Sequence, residues 1–451
     1  MVRGLVLRAG ATLAMLSIAG CAHYAKAPLH DASVALAPVD PAWLAQDAAR
    51  IERPFLKPQT IDLSQPLTPN ALAVIAVIEN PELKAMRTRL NLDTAQSFAA
   101  RLLPDPTAQL GYDKLLKGPD EHDGFTGQIG FDLAALRKAG AIREQARANA
   151  QKVRLDIAWA EWRTASAAQL QGVRITALEA QLPLLQLSVA QSQRRLEIVN
   201  RVFARGDLAS PEVETRRQGR IDSGDKLRTA ERDLAAARFE LNKLLGLAPS
   251  SVLKIAPAPF PSLGIGPAAL TTLAITQRLD LAALRAGYDS AEADVHKAVL
   301  DQFPNLSLTI AAARDTSLNY TLGPQIGFSL PLFNRNRGGI AVARTTREQL
   351  RAEYDARLFQ TRAEIAAAAS LIELSRHQRG ELIAQMRPLE QLAATARRAA
   401  QRGDITMTAA EATEQSLRDR HLALLQLEQA AAEAWIALEL LSGGPSEGWT
   451  R

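Results

Sequence analysis

Between residues 70 and 443 the spacing of apolar positions switches period twice, and then repeats the whole switch. Along 107–113, Ala108, Leu110 and Tyr112 alternate with Thr107, Gln109, Gly111 and Asp113. Along 125–133, Phe125, Ile129, Phe131 and Leu133 share one parity, and Thr126, Gln128, Gly130 and Asp132 the other. The alternation returns in 306–313, with Leu306, Leu308, Ile310 and Ala312 opposite Ser307, Thr309, Ala311 and Ala313. In 321–332 it sets Leu322, Pro324, Ile326, Phe328, Leu330 and Leu332 against Thr321, Gly323, Gln325, Gly327 and Ser329. Period two predicts strands at about 106–115, 125–133, 305–314 and 321–332, each with one apolar and one small polar face. Such a face pair over about ten residues is the signature of a strand between lipid and a watery lumen. The polar connections Lys117–Gly124 and Asp315–Tyr320 suit exposed hairpin loops.

Elsewhere the period is helical. A first helix (about 71–102, and again about 269–302) ends at Pro104 or Pro304. After the strands no strong stop occurs from Gly140 to Arg205, about 65 residues or roughly 95 Å of helix. Leu178, Leu182, Leu185, Val189, Ser192, Leu196, Val199 and Phe203 keep a four-three spacing, a coiled-coil seam. Pro183 interrupts that seam and predicts a local kink, and the second copy carries Pro388. Each long helix closes on a tight turn, with Gly206 or Gly403 suited to the left-handed position after a helix end. Ser210-Pro211-Glu212 then reads as an N-cap, a first-turn proline and a carboxylate at the positive helix end. Thr408-Ala409-Ala410-Glu411 fits a capping box. Return helices end at Leu244-Leu245-Gly246 and Leu440-Leu441-Ser442-Gly443.

The landmarks recur in order. Gln128-Ile129-Gly130-Phe131 reappears as Gln325-Ile326-Gly327-Phe328, and Arg205-Gly206-Asp207 as Arg402-Gly403-Asp404, both 197 residues on. Leu83–Arg87 matches Leu281–Arg285 at an offset of 198. The chain is therefore a tandem duplication, 70–247 and 269–443, joined by a proline-rich linker at 248–268 and followed by a tail at 444–451. Four strands cannot close a barrel in lipid, where unpaired edge groups cost several kcal/mol each. Copies must share one barrel, and physics alone allows two, three or four.

Ahead of the repeats, Arg3 and Arg8 precede an apolar, small-residue run from Ala9 to Gly20, too short to span a bilayer. That predicts a signal peptide at 1–20. Leu16-Ser17-Ile18-Ala19-Gly20-Cys21 resembles a bacterial lipobox, which implies cleavage before Cys21 and its acylation, holding the N-terminus at a membrane surface. Residues 21–69, broken by prolines from Pro28 to Pro69, predict a tether without regular elements.

Composition agrees with long helices: 47% of residues are hydrophobic and only 5% aromatic. The net charge of +5 is spread thinly, without a basic block interleaved with aromatics, so nucleic acid is not an expected partner. Cys21 is the only cysteine, which excludes disulfides within the chain and thiolate metal clusters. The six histidines show no ligand spacing. Leu263-Gly264-Ile265-Gly266-Pro267 has proline where a phosphate loop needs a donor. No cofactor, metal site or catalytic residue is expected, and hence no enzyme.

Helix, hairpin, very long helix, tight turn and return helix, duplicated behind a lipobox, resemble the TolC-like outer-membrane efflux factor family over about residues 70–443. Asn80-Pro81-Glu82-Leu83 and Leu330-Pro331-Leu332-Phe333-Asn334-Arg335-Asn336-Arg337-Gly338 are similar to sequences at the matching places in that family. The resemblance implies a mainly α fold with membrane strands, assembled as a homotrimer with a twelve-stranded β-barrel on a periplasmic α-helical barrel. It implies a passive exit duct of a tripartite efflux pump, docked to a periplasmic adaptor (membrane fusion) protein and an inner-membrane pump of RND type. Phe333-Asn334-Arg335-Asn336 is similar to outer factors of heavy-metal-cation efflux systems, although Leu133–Lys138 in the first copy departs from it. A type I secretion duct and a pore-less coiled-coil lipoprotein are the alternatives. On this reading Arg205, Gly206, Asp207, Arg402, Gly403 and Asp404 form the adaptor-docking tip. Glu212 is the first candidate for a carboxylate ring at the mouth, and Glu411 and Glu414 are offset candidates.

Overall fold

Proline opens several helices of this chain. At Asp40-Pro41, Thr68-Pro69 and Asn80-Pro81 a side-chain oxygen accepts from a first-turn amide, while proline fills a position where its missing N–H is no loss. These pairs start α1 (Pro41–Ala49), α2 (Pro69–Glu79) and α3 (Pro81–Ala99). The computed structural model describes residues 24–29, 31–445 and 449. The expected signal peptide and Cys21 lie outside the described residues. The unit ending at Val39 holds one helical turn, Ala32–Ala35, and the rest of the fold begins at Asp40.

After α3 come β1 (Thr107–Asp113) and β2 (Gly124–Asp132), then α4 (Leu133–Phe203) and α5 (Ser210–Leu244). The second copy gives α6 (Pro267–Gln277), α7 (Leu279–Leu300), β3 (Leu306–Arg314), β4 (Tyr320–Phe328), α8 (Arg337–Arg402) and α9 (Met407–Ser442). The 71 residues of α4 run about 106 Å at the standard rise. Pro183 and Pro388 both lie inside these unbroken helices.

Side-chain bonds lay out the helical wall. Ser97 on α3 and Ser290 on α7 both donate to carbonyls of α4, at Ala146 and Gln145. Further from the strands, Arg238 on α5 reaches Glu179, and Glu433 on α9 takes Arg174. Arg347 and Arg379 of α8 pair with Glu292 on α7 and Glu428 on α9. So α4 and α8 are continuous columns, while α3 with α5, and α7 with α9, stack end to end beside them.

The stacking corrects the expected first helices, 71–102 and 269–302. Each is cut, at Asn80 and at Arg278, into a short segment and a longer one. The Asn80 side chain accepts from Leu83 N and donates to the carbonyl of Leu244, tying the end of α5 to the start of α3. Gly246 (φ +64°) and Gly443 (φ +84°) turn the chain there; a Cβ would stand 2.6 Å from Glu79 O in one and 2.6 Å from Arg278 N in the other. Only glycine fits such a close left-handed approach.

Residues 40–69 are not a bare tether, a second correction. Leu44, Ala48, Ile51, Leu56, Ile61 and Leu67 are buried, and Arg53 Nε meets Glu161 of α4 at 2.5 Å. Leu67 bridges to Ile255 of the linker in parallel, with Leu67 N donating to Lys254 O at 2.8 Å. Phe55 stacks on Trp162 at 4.9 Å. In the tail, Trp449 is buried against Trp435 in a cluster with Leu270, Ile365, Ile372 and Leu438. A belt of N-terminal segment, linker and tail thus packs against the helices near their joints. After α1 the proline-broken segment to Leu67 stays without helix or strand, as its prolines predict, but burial of these apolar side chains fixes its path.

Candidate functional site: the open sheet and the hairpin tips

The four strands form one antiparallel sheet in the order β1-β2-β3-β4. Register follows side-chain parity. Ala108 pairs with Ile129, Ile129 with Ile310, and Ile310 with Pro324. Leu308 lies between Phe131 and Ile326. One face therefore collects Leu110, Phe125, Ile129, Phe131, Leu308, Ile310, Leu322 and Ile326. The other collects Thr, Gln, Ser, Gly and Ala, with Gln128 hydrogen-bonded to Gln109 across the strands. The apolar face is bare: Leu110 is 92% exposed and Leu322 77%. β1 and β4 each pair on one side only, so two rows of backbone groups stand open. At the end away from the helices the hairpin loops hold each other. Asp120 accepts from Thr316 and Ser317, and hydrogen bonds from Tyr112 and the Leu115 amide hold the Asp123 carboxyl below its ordinary range. Among the described residues no helix is long and apolar enough to cross a membrane.

At the far end of the columns, Gly206 (φ +86°) and Gly403 (φ +83°) turn the chain. In each, the amide of the following aspartate reaches back five residues, Asp207 to Val202 O and Asp404 to Ala399 O, a Schellman closure. Arg402 Nε and Asp404 Oδ2 are 3.0 Å apart across the glycine. Among the described residues no ion pair joins Arg205 to Asp207. The turns differ from the expected caps. Ala209, not Ser210, precedes α5, and no side chain caps it. The box at Thr408–Glu411 does not form, because the cap lies two residues earlier, with Thr406 accepting from Ala409 N.

The three candidate carboxylates part company. Glu212 is exposed in the first turn of α5, and Glu411 is half-buried. Glu414 is taken up inside the subunit: Arg397 Nε of α8 lies 2.5 Å from it and Gln191 of α4 donates to it at 3.3 Å. Beside it Arg418 is buried, and burial together with Arg195 lowers its pKa. The spacing of Glu414 and Arg418, one helical turn, is visible in the sequence; Gln191, Arg195 and Arg397 come from other helices and carry no such signal.

Residues 270–444 match the family model described as outer membrane efflux protein. That match covers the second repeat, from α6 to the end of α9. The matching family is one of outer-membrane efflux proteins, which are transport ducts and not enzymes. Solved structures share the fold along nearly the whole chain. CusC, whose structures concern transmembrane channel formation, is 20% identical, with 87% of this chain and 98% of that one covered and a TM-score of 0.64. VceC, an outer membrane protein of Vibrio cholerae, is 19% identical, with 84% and 96% covered and a TM-score of 0.67. The open-state MtrE outer membrane channel of Neisseria gonorrhoeae is 16% identical, with 88% and 96% covered and a TM-score of 0.67. No curated protein sequence matches the chain.

Proposed function

We propose that three copies of this chain form a passive exit duct of a tripartite efflux system. The carrying observation is the sheet: apolar side chains gather on one face, with Arg314 the one charge among them at the loop end, yet β1 and β4 are unpaired edges. In lipid such edges close only on another copy, β4 of one against β1 of the next. Three copies are the number that the family resemblance implies. The exposed flanks of the helical layer support the same closure, with Phe239 and Ile221 on α5 and Phe359 and Leu374 on α8. The polar strand face then lines the pore, and the columns carry it through the periplasm. Cys21 supplies an acylated anchor. A periplasmic adaptor engages the turns at Arg205–Asp207 and Arg402–Asp404, below an inner-membrane pump. The Phe333–Asn336 segment supports heavy-metal cations as cargo, passed on without being selected by this subunit. Detergent-extracted protein measured by native mass should be a trimer that conducts in a planar bilayer. A stable, folded monomer with its sheet intact would defeat this reading.

A further inference from the structure

The two repeats leave the sheet differently. After β2, Asp132 caps α4 directly, its side chain accepting from Ala135 N at 3.1 Å. After β4, residues 329–336 intervene before α8. Both ends of this excursion are pinned. Asn305 N donates to Ser329 Oγ at 3.1 Å, and Asn336 Nδ2 donates to Ala298 O of α7 at 2.8 Å. Between the pins the chain stands out. Leu330, Leu332 and Phe333 are 65%, 62% and 92% exposed. Arg335 and Asn336 are both left-handed, at φ +47° and +50°, an unusual conformation for an arginine. Arg335 and Arg337 are exposed, and among the described residues neither has a side-chain partner.

We propose that Leu330–Arg337 is a phospholipid-binding foot in the periplasmic leaflet of the outer membrane, an inference that rests on the duct reading for its orientation. The helices leave the sheet at this end, so the excursion sits at the periplasmic rim. Leu330 keeps the parity of Leu322, Ile326 and Phe328, the lipid-side face, just beyond the last ladder pair, and Leu332 follows across a tight turn in which its amide donates to Leu330 O at 2.9 Å. They and Phe333 enter the acyl region. Arg335 and Arg337 follow at headgroup depth, where guanidiniums meet lipid phosphates and flanking cations favour anionic headgroups. The first repeat has no counterpart, so each copy carries one foot.

The test uses full-length protein. Detergent-purified protein is titrated with phosphatidylglycerol or phosphatidylcholine, and bound lipid is counted by native mass spectrometry. The wild type should prefer phosphatidylglycerol. Arg335→Gln combined with Arg337→Gln should weaken phosphatidylglycerol binding about thirty-fold, the combined effect of two cations at an anionic surface, and leave phosphatidylcholine binding as it was. An unchanged preference overturns the proposal. A nitroxide on Phe333→Cys, in vesicles of both lipids, gives the second measurement, with the wild-type chain as labelling control. It should relax with oxygen and be shielded from a water-soluble nickel complex. Shielding from both would place Phe333 against a second copy, and access to nickel would place it in water; either result overturns the foot. Planar-bilayer conductance of the same samples separates the two readings. Conduction without lipid preference removes only the foot, and a wild type that never conducts removes the duct.

Discussion

Glu161 has a side chain only 3% exposed, and it is held by Arg53 at 2.5 Å and Arg87 Nε at 2.8 Å. One carboxylate therefore fastens the N-terminal segment and α3 to α4. Removing one partner of a buried pair costs roughly 3–5 kcal/mol, but Arg53 is 38% exposed, so solvent screening discounts its share. Glu161→Ala should destabilise by about 2–3 kcal/mol on that basis. Limited proteolysis should then cut between Ile51 and Leu67, where the wild type resists; equal resistance would make the contact incidental. This residue was not legible in the sequence. Its two arginines lie 108 and 74 positions away, and a lone glutamate in a long helix reads as one more solvated charge. Glu414 shows the same limit near the turn. It sits where a mouth carboxylate would, but Arg397 and Gln191 claim it within the subunit.

Elements were easier to read where one face is buried or bare and the other is not. The strands show this, because side chains alternate strictly and a single slip would reverse both faces. Ile326→Arg should therefore impair membrane assembly by about 2–4 kcal/mol near the bilayer centre, whereas Gln325→Arg should assemble and alter conductance. Equal responses on the two faces, in heat-modifiable oligomer on gels, would contradict the register. The breaks at Asn80 and Arg278 were missed for a physical reason. α2 is buried from Ala71 through Val77, on every side, so its apolar run has no period to end. Glycine chemistry marks the joints instead. Gly246→Ala forces a Cβ toward Glu79 O at φ +64° and should cost about 1–2 kcal/mol. Gly219→Ala, in α5 with open space around it, should gain up to about 1 kcal/mol. Thermal melts of the two variants in detergent should move in opposite directions; a shared direction would argue against the strained joint.

At the scale of the whole molecule the duplication was legible and the belt was not. Repeated landmarks survive as sequence, whereas residues 40–69 take their order from the surfaces they cover. The tips test the assembly. Replacing Arg205, Asp207, Arg402 and Asp404 with alanine, and keeping both glycines, should leave trimers intact while efflux-dependent resistance and adaptor crosslinking fall. Crosslinking at wild-type levels would reduce these hairpins to plain turns. The two helix joints have a mechanical side as well. Both lie along one stretch of α4, since a Cβ at Gly172 would touch Leu72 and Arg278 lies over Trp159 at 5.2 Å. The wall is thus laid like brickwork, with each butt joint backed by an unbroken course, α4 or α8. A butt joint bears compression but transmits little tension. A pull along the axis falls on the two unbroken columns of each copy, while the cut ones can tilt at the seam without any helix bending. The belt of residues 40–69, linker and Trp449 lies at that seam like a splint.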